Sequence, residues 1–404
     1  MPPSKQASVK KKPRVTLADL IEVENRVLRT IGRVRDDMLA PDSIKSAPTY
    51  SSAQLMAFCE LDKGRFDYLI RRGDLPNGRT EDSARRRFTV KDVAAWCMET
   101  RPQMMRPSSS LPFVMSVVNF KGGATKTSTA VALAQGLALR GHKVLVIDTD
   151  AQSSLTNLFG MLPAVDVRDG VSDGVDRSLL PLFLGEETSI DYAVQDTYWP
   201  GIKIIASNLA LYSAEFALPS RQKENPEFEF WNVLRDGIKN SKVQFDIVVI
   251  DTPPSLSYTT INAMLASDGL IMPLPPSHLD FLSSGQFWSL INELMGTLIA
   301  DRSASKEFAF VNVLLSRVDA NDTSSGAVKK WIQAAYSDMV MSSEIPKTSA
   351  TSAASAEFGT VYDLEPSMVN PRTYRRAFDA YESMVTQVER QIVQAWAPLD
   401  GGAK

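Results

Sequence analysis

Between residues 113 and 318, the hydrophobic positions form short continuous runs separated by segments of helix length. The runs lie at residues 114–120, 143–148, 202–206, 245–251, 269–273 and 308–315. Short runs rich in β-branched residues are typical of strands buried on both faces, and their alternation with helices is typical of βαβ units. The pattern predicts an α/β domain with a mostly parallel sheet, helices on both faces and a binding site at the carboxyl ends of the strands.

A helical pattern precedes these runs, between residues 16 and 39. Its apolar positions are Leu17, Leu20, Ile21, Val27, Leu28, Ile31, Val34 and Met38. Thr16 is a suitable N-cap, with Asp19 in the first turn. We therefore predict one helix within residues 15–40, whose apolar stripe packs on the neighbouring domain or on the same helix of a second subunit in a dimer. Residues 1–14, which are basic and contain three prolines, are expected to be a disordered tail.

Residues 41–106 have the pattern of a separate small domain. Helical spacing occurs at 52–61, 62–72 and 90–99, with suitable N-caps at Ser51 or Ser52, at Asp62 and at Thr89. Residues 75–80 and 86–89 flank a charged tip and are typical of a small hairpin. This order predicts a winged or MerR-like helix-turn-helix. The segment 101–112, rich in Pro and Ser, is predicted to link it to the α/β domain at residues 107–404.

Composition excludes several classes of protein. With 404 residues, 44% of them apolar, the chain can bury more than one ordinary core. Cys59 and Cys97 lack the spacing of a metal site and are expected to be buried thiols in a reducing compartment. No apolar run reaches membrane-spanning length, and the basic start is not followed by a signal-peptide segment. These features predict a cytoplasmic protein without a membrane partner.

The net charge of -3 conceals an uneven distribution. Residues 1–110 contain 21 of the 44 Lys and Arg but only 14 of the 47 Asp and Glu. A basic N-terminal part is typical of a nucleic-acid-binding module, although a solvated basic face is the alternative. The candidate DNA contacts are Lys63, Arg65, Arg71 and Arg72 in the second helix of the module, and Arg79, Arg85, Arg86 and Arg87 in the hairpin.

The first predicted strand leads into a glycine-containing loop with two lysines. Its sequence is Lys121-Gly122-Gly123-Ala124-Thr125-Lys126-Thr127-Ser128, and a helical pattern follows. Backbone N–H groups that lead into a helix N-terminus bind anions, and a P-loop has its phosphate lysine and its Mg²⁺ hydroxyl where Lys126 and Thr127 stand. The strict P-loop pattern requires Gly where this chain has Phe120 and Thr125. If Thr125 has a positive φ, its β-branched side chain is strained.

Two later strands end in acidic residues. Asp148 and Asp150 follow the run at 143–148, and Asp251 ends the run at 245–251 in the manner of a Walker B strand. One acid at a strand end is usually a helix cap. A Lys-Thr loop followed by two acidic strand ends predicts a nucleotide site, provided that the three strands are neighbours.

This combination resembles the deviant Walker class of ATPases and, within it, the ParA plasmid and chromosome partition proteins. The resemblance rests on the loop at 121–127, on Asp148-Thr149-Asp150-Ala151-Gln152 and on residues 245–254, and it spans roughly residues 113–380. The N-terminal domain makes the plasmid type with an operator-binding domain, which includes RepA proteins, the nearer match. Ala151 stands where the family usually has Pro.

The resemblance implies a role for each matching residue. Lys126 would bind the ATP phosphates, and Asp150 would orient the attacking water. Lys121 would reach the nucleotide of the other subunit in an ATP-bound homodimer. Mg²⁺ would be held by Thr127 and, through water, by Asp148 and Asp251. The ATP-binding residues would be Lys121, Gly122, Gly123, Ala124, Thr125, Lys126, Thr127 and Ser128, with Ser316 and Arg317 near the adenine, where an ordinary turn is the alternative.

The resemblance also implies partners. The ATP-bound dimer would bind nucleoid DNA without sequence preference through Arg372, Arg375 and Arg376, although ordinary surface charges are the alternative. A ParB-type partner would stimulate slow hydrolysis, and the N-terminal domain would repress its own operon. One rival function is a transcriptional repressor that uses nucleotide only as a conformational effector. Another is a membrane-associated or enzyme-maturation ATPase, for which a terminal amphipathic helix or a Cys-x-x-Cys would be expected.

Overall fold

The computed structural model of the chain describes residues 16–38, 45–80, 86–161, 175–299, 306–319, 322–349, 359–364 and 369–397. Of the described residues, 16–38 belong to one compact unit and all the others belong to a second. Helix α1 spans Leu17–Met38, which confirms the predicted N-terminal helix. The amide and hydroxyl of Thr16 each donate to Asp19 Oδ2 at 2.7 Å, and the amide of Asp19 donates to Thr16 Oγ1 at 3.3 Å. This reciprocal capping explains why the helix begins there. The predicted tail at residues 1–14 lies outside the described residues.

Residues 45–104 form a small module of three helices and an antiparallel sheet. Its elements are β1 (Thr49–Ser51), α2 (Ser52–Phe58), α3 (Lys63–Arg72), β2 (Arg79–Thr80), β3 (Arg86–Thr89) and α4 (Val90–Thr100), with strand order β1-β3-β2. Ser51, Asp62 and Thr89 cap the three helices, since each side chain accepts a hydrogen bond from a backbone amide. Thr49 and Tyr50, for which no element was predicted from the sequence, form a strand that pairs with β3.

Aromatic side chains form the core of this module. Phe66 and Phe88 pack against Trp96, with ring centroids 5.3 and 6.3 Å from the indole. The indole Nε1 donates to the carbonyl of Pro76 at 2.9 Å, which holds the turn before the hairpin. Cys59 and Cys97 are both buried free thiols, as predicted, and their sulfur atoms lie 3.6 Å apart.

The larger domain contains an eight-stranded sheet of order β11-β10-β9-β4-β8-β5-β7-β6. Its strands are β4 (Phe113–Val117), β5 (Val144–Asp148), β6 (Val194–Asp196), β7 (Ile202–Ile205), β8 (Ile247–Asp251), β9 (Gly269–Leu274), β10 (Phe310–Val318) and β11 (Val340–Pro346). All neighbours run parallel except β6, which is antiparallel to β7. The predicted mostly parallel sheet is confirmed.

Helices cover both faces of this sheet. They are α5 (Lys126–Leu139), α6 (Ser154–Leu158), α7 (Leu180–Leu184), α8 (Ala214–Glu224), α9 (Val233–Lys239), α10 (Tyr258–Ala266), α11 (His278–Ile299), α12 (Thr323–Tyr336) and α13 (Pro371–Trp396). Val146 and Val249 belong to the core shared with α5 and α13, whereas Leu145 and Val248 belong to the core shared with α7 to α10. This alternation follows from the two-residue period of a strand. Within the described ranges, no helix has the length and apolar character needed to cross a bilayer.

Two strands of the sheet were not expected from the sequence. Strand β6 has only three residues at one edge, and β11, at the other edge, has three consecutive polar residues in its middle, Ser342, Ser343 and Glu344. Edge strands lack the continuous apolar run of strands buried on both faces, which is the signal that identified the six inner strands.

A buried group of charges lies where the small module meets the larger domain. Glu389 of α13 is fully buried. It accepts a hydrogen bond at 2.6 Å from Nη2 of Arg101, the residue that directly follows α4. Arg140 Nε and His142 Nε2 lie 3.4 and 3.0 Å from the same carboxylate. Arg101 follows the last helix of the small module, and Arg140 follows α5, the helix that begins at the glycine-containing loop. Glu389 therefore connects the small module with the C-terminal end of α5.

Candidate functional site

The carboxyl ends of three neighbouring strands form the candidate site. Strand β8 lies between β4 and β5, and its Asp251 is in register with Val117 on one side and Asp148 on the other. The loop after β4 and the acids that end β5 and β8 therefore meet at one edge of the sheet. This is the arrangement on which the sequence-based prediction of a nucleotide site depends.

The loop after β4 is closed around Lys126. The amide of Lys121 donates to Asn119 Oδ1 at 3.0 Å, and Asn119 Nδ2 donates to the carbonyl of Pro273 at 2.7 Å. Lys126 is 7% exposed, and its Nζ donates to the carbonyl of Lys121 at 3.4 Å. Burial lowers the pKa of this ammonium, against the opposing effect of Asp251 and Asp150. A buried lysine within a loop at the N-terminus of the 14-residue α5 is suited to an anionic ligand.

A cavity of about 890 Å³ opens over this loop. Residues Gly122 to Ser128 line it together with Asp150 and Arg317. Sequence reasoning missed several other lining residues: Gln152, Ser154, Asn157, Leu158, Thr252, Pro254, Ile345, Pro346, Lys347, Gly359, Thr360, Val361 and Tyr381. Ile345 and Pro346 end β11, and Lys347 follows it. Recognising β11 in the sequence would have identified these three, because ligands lie at the carboxyl ends of parallel strands.

Thr125 adopts the left-handed conformation that the sequence analysis considered. Its φ and ψ are 69° and 22°, and its buried Oγ1 has no hydrogen-bond partner in the described part of the chain. A β-branched residue in this region is strained by on the order of 1–3 kcal/mol. The chain therefore retains strain at the residue that precedes Lys126.

Replacing Thr125 with Gly should stabilise the protein by about 1 kcal/mol, because relief of backbone strain exceeds the entropy cost of glycine. The free energy of unfolding would be measured by urea denaturation. Thr125→Ala is the matched variant, since it removes the hydroxyl but keeps the Cβ atom, and it should recover less of the stability. A Thr125→Gly variant less stable than the wild type would show that the loop is not strained there.

Thr127 and Asp251 form the polar pair beside the loop. Thr127 Oγ1 donates to Asp251 Oδ2 at 2.7 Å, while Asp251 Oδ1 is buried without a partner among the described residues. Burial and the nearby Asp148 raise the pKa of Asp251 to about 8, against the opposing effects of Thr127 and Lys126. A buried carboxylate oxygen with no hydrogen bond is suited to a cation or to water held by a cation.

Asp148 points into the protein and organises the segment after β5. Its Oδ1 accepts from the amide of Asp150 at 3.1 Å, and its Oδ2 accepts from the amide and hydroxyl of Thr156 at 3.0 and 2.7 Å. Burial raises its pKa to about 6, and these hydrogen bonds oppose that shift. Asp150 is half-buried and lines the cavity. This geometry favours a positioning role for Asp148 over the expected role in the magnesium site.

Lys121 lies beside the loop in a second cavity of about 300 Å³. Its Nζ is 3.0 Å from Asp280 Oδ2 of α11. Asp280 could not be predicted from the sequence, because nothing in its local sequence marks a partner for a lysine so far away along the chain.

Ser316 and Arg317 contact the backbone of the loop. Ser316 Oγ donates to the carbonyl of Ala124 at 3.3 Å, and Arg317 Nη1 donates to the carbonyl of Gly123 at 3.2 Å. Arg317 lines both cavities and has a φ of 52°. The end of β10 thus supports the loop from the side.

Most candidate DNA contacts lie at the surface of the described residues. Lys63, Arg65, Arg71, Arg72, Arg79, Arg372, Arg375 and Arg376 are exposed. Arg86 and Arg87 are half-buried and hold the hairpin, since they donate to the carbonyls of Asn77 and Thr49 at 3.2 and 2.9 Å. Arg85 lies outside the described residues. Arg375 also lines a cavity of about 600 Å³ between α2 and α13.

The chain is similar to a described protein family and to several known proteins. Residues 113–301 match a family described as an AAA domain. The chain is 32% identical over 285 residues to a putative replication protein A of Rhizobium rhizogenes, covering 70% of this chain and 69% of the relative. It is 29% identical over 257 residues to the chromosome partitioning protein ParA of Caulobacter vibrioides, covering 62% of this chain and 88% of the relative.

A solved structure shares the fold of the larger domain. It is the cobyrinic acid a,c-diamide synthase of Mycobacterium smegmatis with bound ATP analogue and magnesium. The two chains superpose with a TM-score of 0.53 at 24% identity, covering 69% of this chain and 95% of the other.

Proposed function

The chain belongs to the ParA family of partition ATPases, and from that membership we propose a cycle of ATP-driven DNA binding. ATP joins two copies of the chain into a homodimer that binds nucleoid DNA without sequence preference. A ParB-type partner stimulates slow hydrolysis and so releases the DNA. In its ADP or nucleotide-free form, the protein binds the operator of its own operon through residues 41–106. This cycle would act in the cytoplasm, in plasmid or chromosome segregation.

One observation carries the proposal. Lys126, Thr127 and Asp150 line a single cavity, and Thr127 is hydrogen-bonded to Asp251. Phosphoryl transfer needs mainly positioning and neutralisation of charge on the phosphates. A buried ammonium, a hydroxyl–carboxylate pair and a cavity-lining carboxylate supply the groups required for both.

The residues at the end of β8 fit a magnesium ion bound together with ATP. Mg²⁺ usually keeps several waters and takes one or two carboxylates plus substrate phosphates. Thr127 Oγ1 and Asp251 Oδ1, which has no hydrogen-bond partner among the described residues, match that requirement. Among the described residues, no group of three or more His, Cys, Asp or Glu forms a metal site that is independent of nucleotide. When bound, the ion would neutralise the charge that develops on the phosphates.

The chain's own residues would have distinct tasks around the nucleotide. The Lys126 ammonium would bind the β- and γ-phosphates, and the loop amides would orient them. Asp150 would orient the attacking water, while Asp148 would position Asp150 through the backbone hydrogen bond. Lys121 would reach the nucleotide of the second copy, so that turnover depends on dimerisation.

DNA binding is proposed for two exposed basic groups. Lys63, Arg65, Arg71 and Arg72 lie on or at the end of α3, which would contact the operator. Arg372, Arg375 and Arg376 lie in the first turns of α13 and would contact DNA phosphates in the ATP-bound dimer. Because phosphate contacts release counterions, the second interaction should weaken strongly as salt concentration rises.

Replacing Lys121 with Ala should lower partner-stimulated ATP turnover by about 100-fold or more, because a charged group that stabilises the transition state of hydrolysis in the other subunit would be missing. ATP binding to the single copy should persist. Phosphate release would be measured with and without DNA and the candidate ParB-type partner, and the dimer by analytical ultracentrifugation. Lys203→Ala is the control, since Lys203 also pairs with an aspartate, Asp196, at 2.6 Å.

Two results would contradict this proposal. Full stimulated turnover and normal ATP-dependent dimerisation of Lys121→Ala would refute the role of Lys121 in the dimer. Operator binding that responds to ATP, together with no turnover by the wild type under any condition, would favour a repressor for which nucleotide is only an effector.

A further inference from the structure

We propose that Asp280 is a positioning residue that holds the Lys121 side chain within its own subunit, and that dimerisation with ATP must withdraw Lys121 from it. Asp280 would thereby set how much ATP is needed to form the dimer. This inference rests on the proposed role of Lys121.

The carboxylate of Asp280 is held in place by contacts that do not involve Lys121. Ser277 Oγ donates to Asp280 Oδ2, and the amide of Asp280 donates back to Ser277 Oγ at 3.2 Å. This reciprocal pair caps the start of α11. The side chain of Asp280 is only 9% exposed, whereas that of Lys121 is 37% exposed. A buried and hydrogen-bonded acid therefore contacts a more exposed lysine.

The backbone of Lys121 is anchored to the same part of the fold. Asn119 accepts from the amide of Lys121 and donates to the carbonyl of Pro273 in β9, and Ser277 and Asp280 follow β9 directly. Lys121 lines the smaller cavity beside the loop rather than the larger cavity over it. Its side chain can leave Asp280 by rotation while its amide stays in place, because the two contacts use different atoms.

Withdrawal of Lys121 would leave a buried carboxylate with fewer partners. Among the described residues, the hydrogen-bond and ion-pair partners of Asp280 are Lys121 and Ser277. A partly exposed ion pair changes an equilibrium constant by a factor of about five at most. The contact therefore opposes dimerisation modestly, by up to about fivefold for each copy of the chain.

The test is Asp280→Asn, which keeps the size and the hydrogen bonds to Ser277 but removes the charge. Dimer formation would be followed by analytical ultracentrifugation against the concentration of a slowly hydrolysed ATP analogue. The half-maximal concentration should fall by about fivefold. Asp92→Asn is the matched control, because Asp92 has the same reciprocal cap with Thr89 at the start of α4. Thermal unfolding of each variant would show that the fold is retained.

The single variants Lys121→Ala and Asp280→Asn separate the two hypotheses. If Lys121→Ala alone dimerises normally, the proposed role of Lys121 fails, whatever Asp280 does. If Lys121→Ala loses the dimer but Asp280→Asn has the wild-type half-maximal concentration or a higher one, only the role of Asp280 is wrong. The inference holds if Asp280→Asn lowers that concentration and Asp92→Asn leaves it unchanged.

Discussion

ATP binding and turnover should be lost when Lys126 is replaced by Ala. Lys126 is 7% exposed at the start of α5, with its ammonium inside the loop that lines the larger cavity. Without it, the phosphates would face Asp150 and Asp251 without the buried ammonium that offsets their charge. We expect turnover to fall by at least about 100-fold, the scale seen when one group that stabilises transition-state charge is removed.

Calorimetric titration with ATP and Mg²⁺ would measure binding, and phosphate release would measure turnover. Lys143→Ala is the control, because Lys143 is an exposed lysine that precedes β5, at the opposite end of the strand from the site. Lys126→Arg should also be inactive, since the compact loop accommodates an ammonium and not a planar guanidinium. Wild-type affinity in Lys126→Ala would place the nucleotide somewhere other than this cavity.

The second large effect concerns stability. Glu389→Gln should destabilise the protein by roughly 3–5 kcal/mol, because it leaves Arg101 and Arg140 buried without their shared carboxylate. Glu344→Gln is the control, since Glu344 pairs with Lys329 at 2.5 Å with its side chain 41% exposed. That change should cost less than about 1 kcal/mol. Urea denaturation would compare both variants with the wild type, and equal effects would contradict the structural assignment.

The contribution of Glu389 should also depend on pH. Burial by itself would raise the pKa of this carboxyl, but His142, Arg140 and Arg101 lower it from 4.5 to about 2. A carboxyl with a depressed pKa in the folded state contributes stability above its unfolded pKa and loses it as pH falls. The stability difference between the wild type and Glu389→Gln should therefore be constant above pH 4.5 and shrink between pH 4.5 and about 2. A difference that grows on acidification would show the opposite sign of linkage.

Much of the candidate site can be recognised from short segments of the sequence. The apolar runs predicted the six inner strands, because strands buried on both faces need continuous hydrophobic residues. The loop at 121–128 and the acids Asp148, Asp150 and Asp251 were recognised because each follows such a run directly. A positive φ at Thr125 was considered from the sequence alone, because the strict loop pattern has glycine at this position and glycine adopts positive φ without strain.

Other features depend on contacts between distant parts of the chain. The edge strand β11 and the cavity residues at its end have no comparable local signal. The inward hydrogen bonds of Asp148 depend on Thr156, in the following helix. Packing between α4, α5 and α13 brings Arg101, Arg140 and Glu389 together.

By itself, the sequence determined the alternation of strands and helices, the glycine-containing loop at 121–128 and the acids at the strand ends, because these depend on backbone period and on neighbours a few residues away. Only the tertiary structure decided that β8 lies between β4 and β5, that Asp280 holds Lys121 and that Glu389 joins two arginines. The physical reason is that the order of strands and the crossing of helices are set by the packing of the whole core, which no short segment encodes.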